Sequence, residues 1–186
     1  MKQFTLKLSK DTQRPIVILS HPFRLDAMLD TGATFPIWTA AEDMIADVGG
    51  KLKAHDIPFG GFGGMTKGNL YEIPNFCVGD LIFPSLPVIV SPRNLPCQML
   101  LSATMFSRLI YEIDDQHHQF NVTIPEQEST VRNLTVKEDN GRLHIFCNDY
   151  TTWQRQYFDA MEPGEFHEKA VRYAKEHPYN SNAERL

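Results

Sequence analysis

The chain has 186 residues, with 18 basic and 23 acidic side chains and a formal charge of −5. Apolar residues make up 42% and aromatic residues 11%, enough for a packed core, so wholesale disorder is excluded. The balance of charge lacks the basic footprint of a nucleic-acid binder, and no run approaches the ~18 apolar residues that span a bilayer.

That length suggests one domain with an appendage, or two small domains. Residues 1–10 contain Lys2, Lys7 and Lys10 and no apolar run, so no export signal is expected there. Cys77, Cys97 and Cys147 stand at unrelated spacings with no Cys-x-x-Cys pair. Neither a zinc ribbon nor a disulfide framework follows, and reduced thiols in a cytoplasmic protein are the simplest expectation.

Along the chain, Phe4, Leu6 and Leu8 alternate with polar residues, as on a half-buried strand. Residues 15–19 form a continuous apolar, largely β-branched run, and 23–29 lead directly into Asp30-Thr31-Gly32. A short helix is expected over 39–48, stopped by Gly49-Gly50. Further strands are expected at 71–78, 81–83, 87–90, 98–101, 109–113 and 120–124, each bounded by Gly, Pro, Asn or Asp. One or two helical turns are expected over 103–109, after a possible cap at Ser102. Residues 114–119 read as a hairpin loop. Most of the twelve prolines and eleven glycines lie before residue 137, and charge is denser after it. The later zone reads as an Asn140-Gly141 turn, a strand over 143–147, and helices with Trp153, Tyr157, Phe158 and Met161, then Phe166, Ala170, Tyr173 and Ala174, at helical spacing. Many short strands with few helical periods argue for a mainly β fold, a barrel or sandwich.

The sharpest local feature is residues 25–34, an apolar strand that delivers Asp30 to a Thr-Gly turn. Gly32 permits a tight turn and close approach of a partner, and the Thr31 hydroxyl can bond across to a backbone. By itself the tripeptide is common, and a plain turn after a strand is the blander reading. Two further blocks accompany it. Residues 57–65 are glycine-rich, with Phe59, Gly60, Gly61, Phe62, Gly63 and Gly64 between apolar flanks. Residues 100–106 run from an apolar strand into a helix, followed by another strand.

The order and separation of these blocks resemble the retropepsin-like, or retroviral-type, aspartic proteases, over roughly residues 1–125. The resemblance implies an acid-protease barrel in which Asp30 is catalytic, with Thr31, Gly32 and Ala33 in its loop. It also implies a flap over substrate at Phe59, Gly60, Gly61, Phe62, Gly63 and Gly64. Ser102 stands where the family usually has glycine, and Thr104 where it has Asn or Asp. Residues 126–186 would then be a C-terminal strand-plus-helix extension.

Amide hydrolysis by carboxylates needs two of them, one to deprotonate water and one, protonated, to polarise the carbonyl. The chain has one Asp-Thr-Gly, so this chemistry calls for a homodimer with Asp30 from each copy. No metal or organic cofactor is required, the substrate is a peptide or protein, and neither nucleic acid nor membrane is an expected partner. The rival expectation is a catalytically inactive peptide-binding or dimerisation module with the same fold, motivated by Ser102 and Thr104. Nucleotide binding is disfavoured: the glycine-rich segment continues Thr66-Lys67-Gly68, which fits neither a phosphate-binding loop nor a dinucleotide fingerprint. His117-His118 beside Asp114 and Asp115 reads as a solvated turn before a metal site, and Cys77 and Cys97 as buried structural thiols.

Overall fold

The computed structural model describes residues 1–10, 13–21, 23–61, 64–91, 95–139 and 142–148. These residues are mainly β. In chain order the strands are β1 (Lys2–Lys7), β2 (Ile16–Leu19), β3 (Leu25–Asp30), β4 (Ile37–Trp38), β5 (Lys51–Gly61), β6 (Gly64–Val78), β7 (Leu81–Val90), β8 (Met99–Ser102), β9 (Ile110–Asp114), β10 (Gln119–Ile124), β11 (Leu134–Asp139) and β12 (Arg142–Cys147). Among the described residues helix is confined to α1 (Met44–Asp47) and a 3-10 turn, Ala103–Phe106.

The strands make three sheets. Seven run in the order β2-β3-β8-β4-β7-β6-β5, three in the order β1-β10-β9, and β11 pairs with β12 alone. Among the described residues no pairing joins β2 to β5, so the expected closed barrel is not formed. A single bridge, Leu8 to Val17, links the three-stranded sheet to the seven-stranded one. The expected C-terminal helices lie outside the described residues.

Two rows of side chains cross the large sheet on opposite faces, because successive residues of a strand alternate sides. One row runs Ala27, Met99, Trp38, Val90 through directly opposed pairs. It faces the main core, with Leu25, Phe76, Phe83, Leu86 and Phe120. The next row runs Met28, Leu100, Ile37, Ile89, Leu70, Ala54 on the other face. That second face carries smaller clusters.

Two elements differ from the sequence reading. The helix expected over 39–48 is only one turn, because the Thr39 and Ala40 N–H groups donate to the Gln98 carbonyl (2.9 and 3.0 Å), which holds that segment at the sheet. The strands expected at 81–83 and 87–90 are one strand, β7, running through Pro84 and Pro87. Strand β4 flanks β7 only at Ile89 and Val90, so both prolines sit where that edge needs no N–H donor. Of the one or two helical turns expected over 103–109 after Ser102, one 3-10 turn forms, followed by Ser107 and by Arg108 at φ 62°.

Candidate functional site

Strand β3 is buried on alternate residues: Leu25, Ala27 and Leu29 enter the main core, and Asp26, Met28 and Asp30 lie half-buried on the opposite face. Asp30 is thus delivered to the end of a rigid strand, on the face of the second row. Strands β3 and β8 are parallel, and Asp30 is opposite Ser102.

The turn after Asp30 is closed locally. The Ala33 N–H donates to the Asp30 carbonyl (3.1 Å), and the Gly32 N–H donates to Asp30 Oδ1 (3.0 Å). A Cβ on Gly32 would lie 3.3 Å from that carboxylate oxygen, so glycine suits the close approach. The loop is then tied onward, because the Ala103 N–H donates to the Ala33 carbonyl (3.1 Å). Thr31 and Gly32 are exposed and Ala33 is half-buried. Ser102 is fully buried, and its Oγ has no hydrogen-bond partner among the described residues. Such an orphaned hydroxyl is costly, which makes the position beside Asp30 unusual.

Strands β5 and β6 form a long hairpin, paired from Lys51–Glu72 out to Gly61–Gly64, with irregular register around Ala54. Phe59, Gly60, Gly61 and Gly64 stand at its outer end, whereas Phe62 and Gly63 lie outside the described residues. Phe59 is half-buried and turned inward onto Ile89 across Gly68, where any Cβ would collide with the Val90 carbonyl and Ile89. Met65, opposite Gly60, is 74% exposed.

Near the base of this hairpin a groove of about 540 Å³ is lined by Thr39, Glu42, Asp56, Lys67, Asn69 and Ser91, among others. Asp30 is not in it. Glu42 Oε1 accepts hydrogen bonds from the Tyr71 hydroxyl (2.6 Å) and Asn69 Nδ2 (2.9 Å). These bonds, Tyr71 first, hold the Glu42 carboxyl below its ordinary value, and the same contact pushes the Tyr71 hydroxyl up.

Other residues singled out in the sequence carry no reactive arrangement. The His117 N–H and ring Nδ1 meet the two oxygens of Asp114 (3.0 and 2.7 Å), forming an exposed turn between β9 and β10. The Asp114 carboxyl is held low by the His117 backbone first and the ring second. Among the described residues no group of three potential metal ligands occurs. Cys97 and Cys147 are buried free thiols pushed up by burial, which disfavours the reactive thiolate. Cys77 is only half-buried, with its Sγ near the Asn75 carbonyl (3.8 Å).

The sequence reading gave β11 no place. Arg132, just before it, is fully buried: its guanidinium donates to the Ser107 carbonyl and lies 3.4 Å from Glu128, which also pairs with Arg108 (3.2 Å). The β11–β12 hairpin therefore packs beside the 3-10 turn that follows Ser102. The period-2 patterns of Leu134 and Val136, then Leu143 and Ile145, across Asn140-Gly141 were the available signal.

No family model matches the chain, and no curated protein matches it. Among solved structures it is similar to the crystal structure of a retropepsin-like aspartic protease from Rickettsia conorii, at 17% sequence identity and a TM-score of 0.47, over 65% of this chain and 89% of that one.

Proposed function

We propose that the chain is an aspartic endopeptidase of retropepsin-like fold that works as a homodimer. The observation that carries this reading is the mounting of Asp30: the end of a buried strand, a turn closed by Gly32 and Ala33, and a tie from Ala33 to Ala103. One carboxylate of the pair takes a proton from water, and the other, protonated, donates to the substrate carbonyl. The second carboxylate is Asp30 of another copy, because the chain has one such loop. The hairpin of β5 and β6 closes over an extended peptide as a flap, with Phe59 to Gly64 at its outer end, and shields the reacting water and substrate from bulk solvent. The chemistry needs no metal or organic cofactor.

Strand β9 favours the dimer. It is an edge strand, unpaired on its outer side among the described residues, with Ile110 61% and Ile113 39% exposed. Such an edge invites pairing with another chain.

The test is cleavage of a mixed peptide library by the full chain and by Asp30→Asn across pH 4–8, read by mass spectrometry, with sedimentation for the oligomeric state. Cuts made by the parent and lost in Asp30→Asn support the reading. A dimeric parent that cuts nothing at any pH would replace it with a peptide-binding module.

A further inference from the structure

The apolar ground between the Asp30 loop and the β5–β6 hairpin is already occupied. On the Asp30 face, Phe35, Leu70, Ile89 and Ile145 form one buried cluster. Phe35 and Ile37 follow the Asp30 loop directly, Ile89 and Leu70 continue the second row across β7 and β6, and Ala54, Ile57 and Phe59 are on β5. The lid on this cluster comes from the C-terminal hairpin: Leu134 and Val136 of β11, Leu143 and Ile145 of β12. Strand β12 reaches both β5 and the 3-10 turn behind Asp30. The chain's own hairpin thus spans from the active-site side to the proposed flap.

The attachment differs from that of every strand beneath it. The hairpin forms a separate two-stranded sheet, with no ladder to the seven-stranded one. It rests on the large sheet by side chains, and Leu134, Val136 and Leu143 stay half-buried. Its stem is fixed instead. The Arg132 N–H donates to the Ile82 carbonyl (2.8 Å), its guanidinium holds Ser107, and Asn133 and Asn148 clasp each other across the base (2.7 and 2.8 Å). A pinned stem below a side-chain contact would let the hairpin leave while the rest of the fold stays in place.

We propose that the β11–β12 hairpin is a built-in occupant of the substrate groove, competing with substrate for the surface made by Phe35, Ile37, Ala54, Ile57, Leu70 and Ile89. The groove accordingly takes extended peptide with aliphatic side chains at alternate positions, the pattern of Leu134-x-Val136 and Leu143-x-Ile145. The inference rests on the reading of Asp30 as the cleaving residue for its consequence, though not for the occupancy itself. Displacing the hairpin raises the fraction of molecules competent to bind, and apparent affinity rises in proportion.

The test uses the full chain with Leu143→Asp and Ile145→Asp together, which charges the docked face of β12. Binding is read in an Asp30→Asn background, by fluorescence anisotropy of a labelled synthetic peptide of residues 132–148. The expected result is binding about tenfold tighter than to the same chain with its hairpin intact. With Asp30 present, cleavage of aliphatic-rich peptides should rise by a similar factor. Equal peptide binding with and without the two aspartates overturns the proposal, whatever the cleavage shows. Tighter binding without cleavage keeps the proposal and removes the protease reading. Cleavage that is equal in both chains, with equal binding, keeps the protease and removes the occupant. If circular dichroism shows that the double variant has lost its fold, Ile145→Ala is measured in its place and must move peptide binding in the same direction, and unchanged binding there counts against the proposal.

Discussion

The two faces of the large sheet use the same strands for different ends. On one face Ala27, Met99, Trp38 and Val90 enter a core shared with the three-stranded sheet, and the first three of these are fully buried. On the other, one residue along, Met28, Leu100 and Ile37 lead toward the half-buried Asp30, and among the described residues a side-chain-held hairpin covers the far end. The first face is built for stability. The second keeps a carboxylate half-buried at one end and covers its apolar floor with a hairpin at the other. A single strand such as β3 serves both because its side chains alternate, so the rigidity of Leu25, Ala27 and Leu29 is passed to Asp30 without burying it.

Substitutions can break that contrast. The largest effect belongs to Asp30→Asn, which should lower peptide cleavage by about 10²- to 10⁴-fold while leaving the circular dichroism spectrum unchanged, since the side chain supports no core contact. Next comes Phe83→Ala on the core face, expected to cost about 3–5 kcal/mol in urea unfolding, because the ring is fully buried. Arg132→Met should cost about 1–3 kcal/mol in the same experiment, since the Ser107 carbonyl loses its donor while Glu128 keeps Arg108. Ile145→Ala, under the hairpin, should cost no more than about 2 kcal/mol, because the hairpin can shift to fill the gap. A loss from Ile145→Ala equal to that from Phe83→Ala would erase the distinction between the faces.

The smallest effect is a pH slope. The folded Glu42 carboxyl lies below its unfolded value, so the unfolded chain takes up its proton first as pH falls. Its contribution is complete above the ordinary carboxylate range and is lost as pH drops through the lower, folded value. Thermal melts from neutral to acid should therefore fall less steeply for Glu42→Gln than for the parent, and parallel curves would show that the contacts from Tyr71 and Asn69 do not matter to stability.

Much of this was legible because it is local. The strand into Asp30, the turn at Gly32 and the loop from Asp114 to Gln119 are set by residues adjacent in sequence, and each appears where alternation and turn chemistry place it. The helix over 39–48 failed for a distant reason, the capture of Thr39 and Ala40 by Gln98. The break expected in β7 failed because proline is harmful only where an N–H is needed, and sequence does not show which edge is bare. The covering of the Asp30 face by β11 and β12 was invisible for the same cause. Leu134, Val136, Leu143 and Ile145 announce a hairpin with one apolar side, and only the tertiary structure says what that side meets.

The parallel pairing of β3 with β8 has a consequence in time. Asp30 finds its neighbour Ser102 only after β4, β5, β6 and β7 have been made, so this contact closes one of the longest loops in the described chain. Loops of that kind are slow to close, since the entropy of ordering the intervening chain is lost before the contact repays it. The anchoring of the Asp30 turn through Ala33 and Ala103 accordingly depends on a partner made some seventy residues later. A chain still emerging from the ribosome carries the Asp30 turn with nothing behind it until β8 arrives.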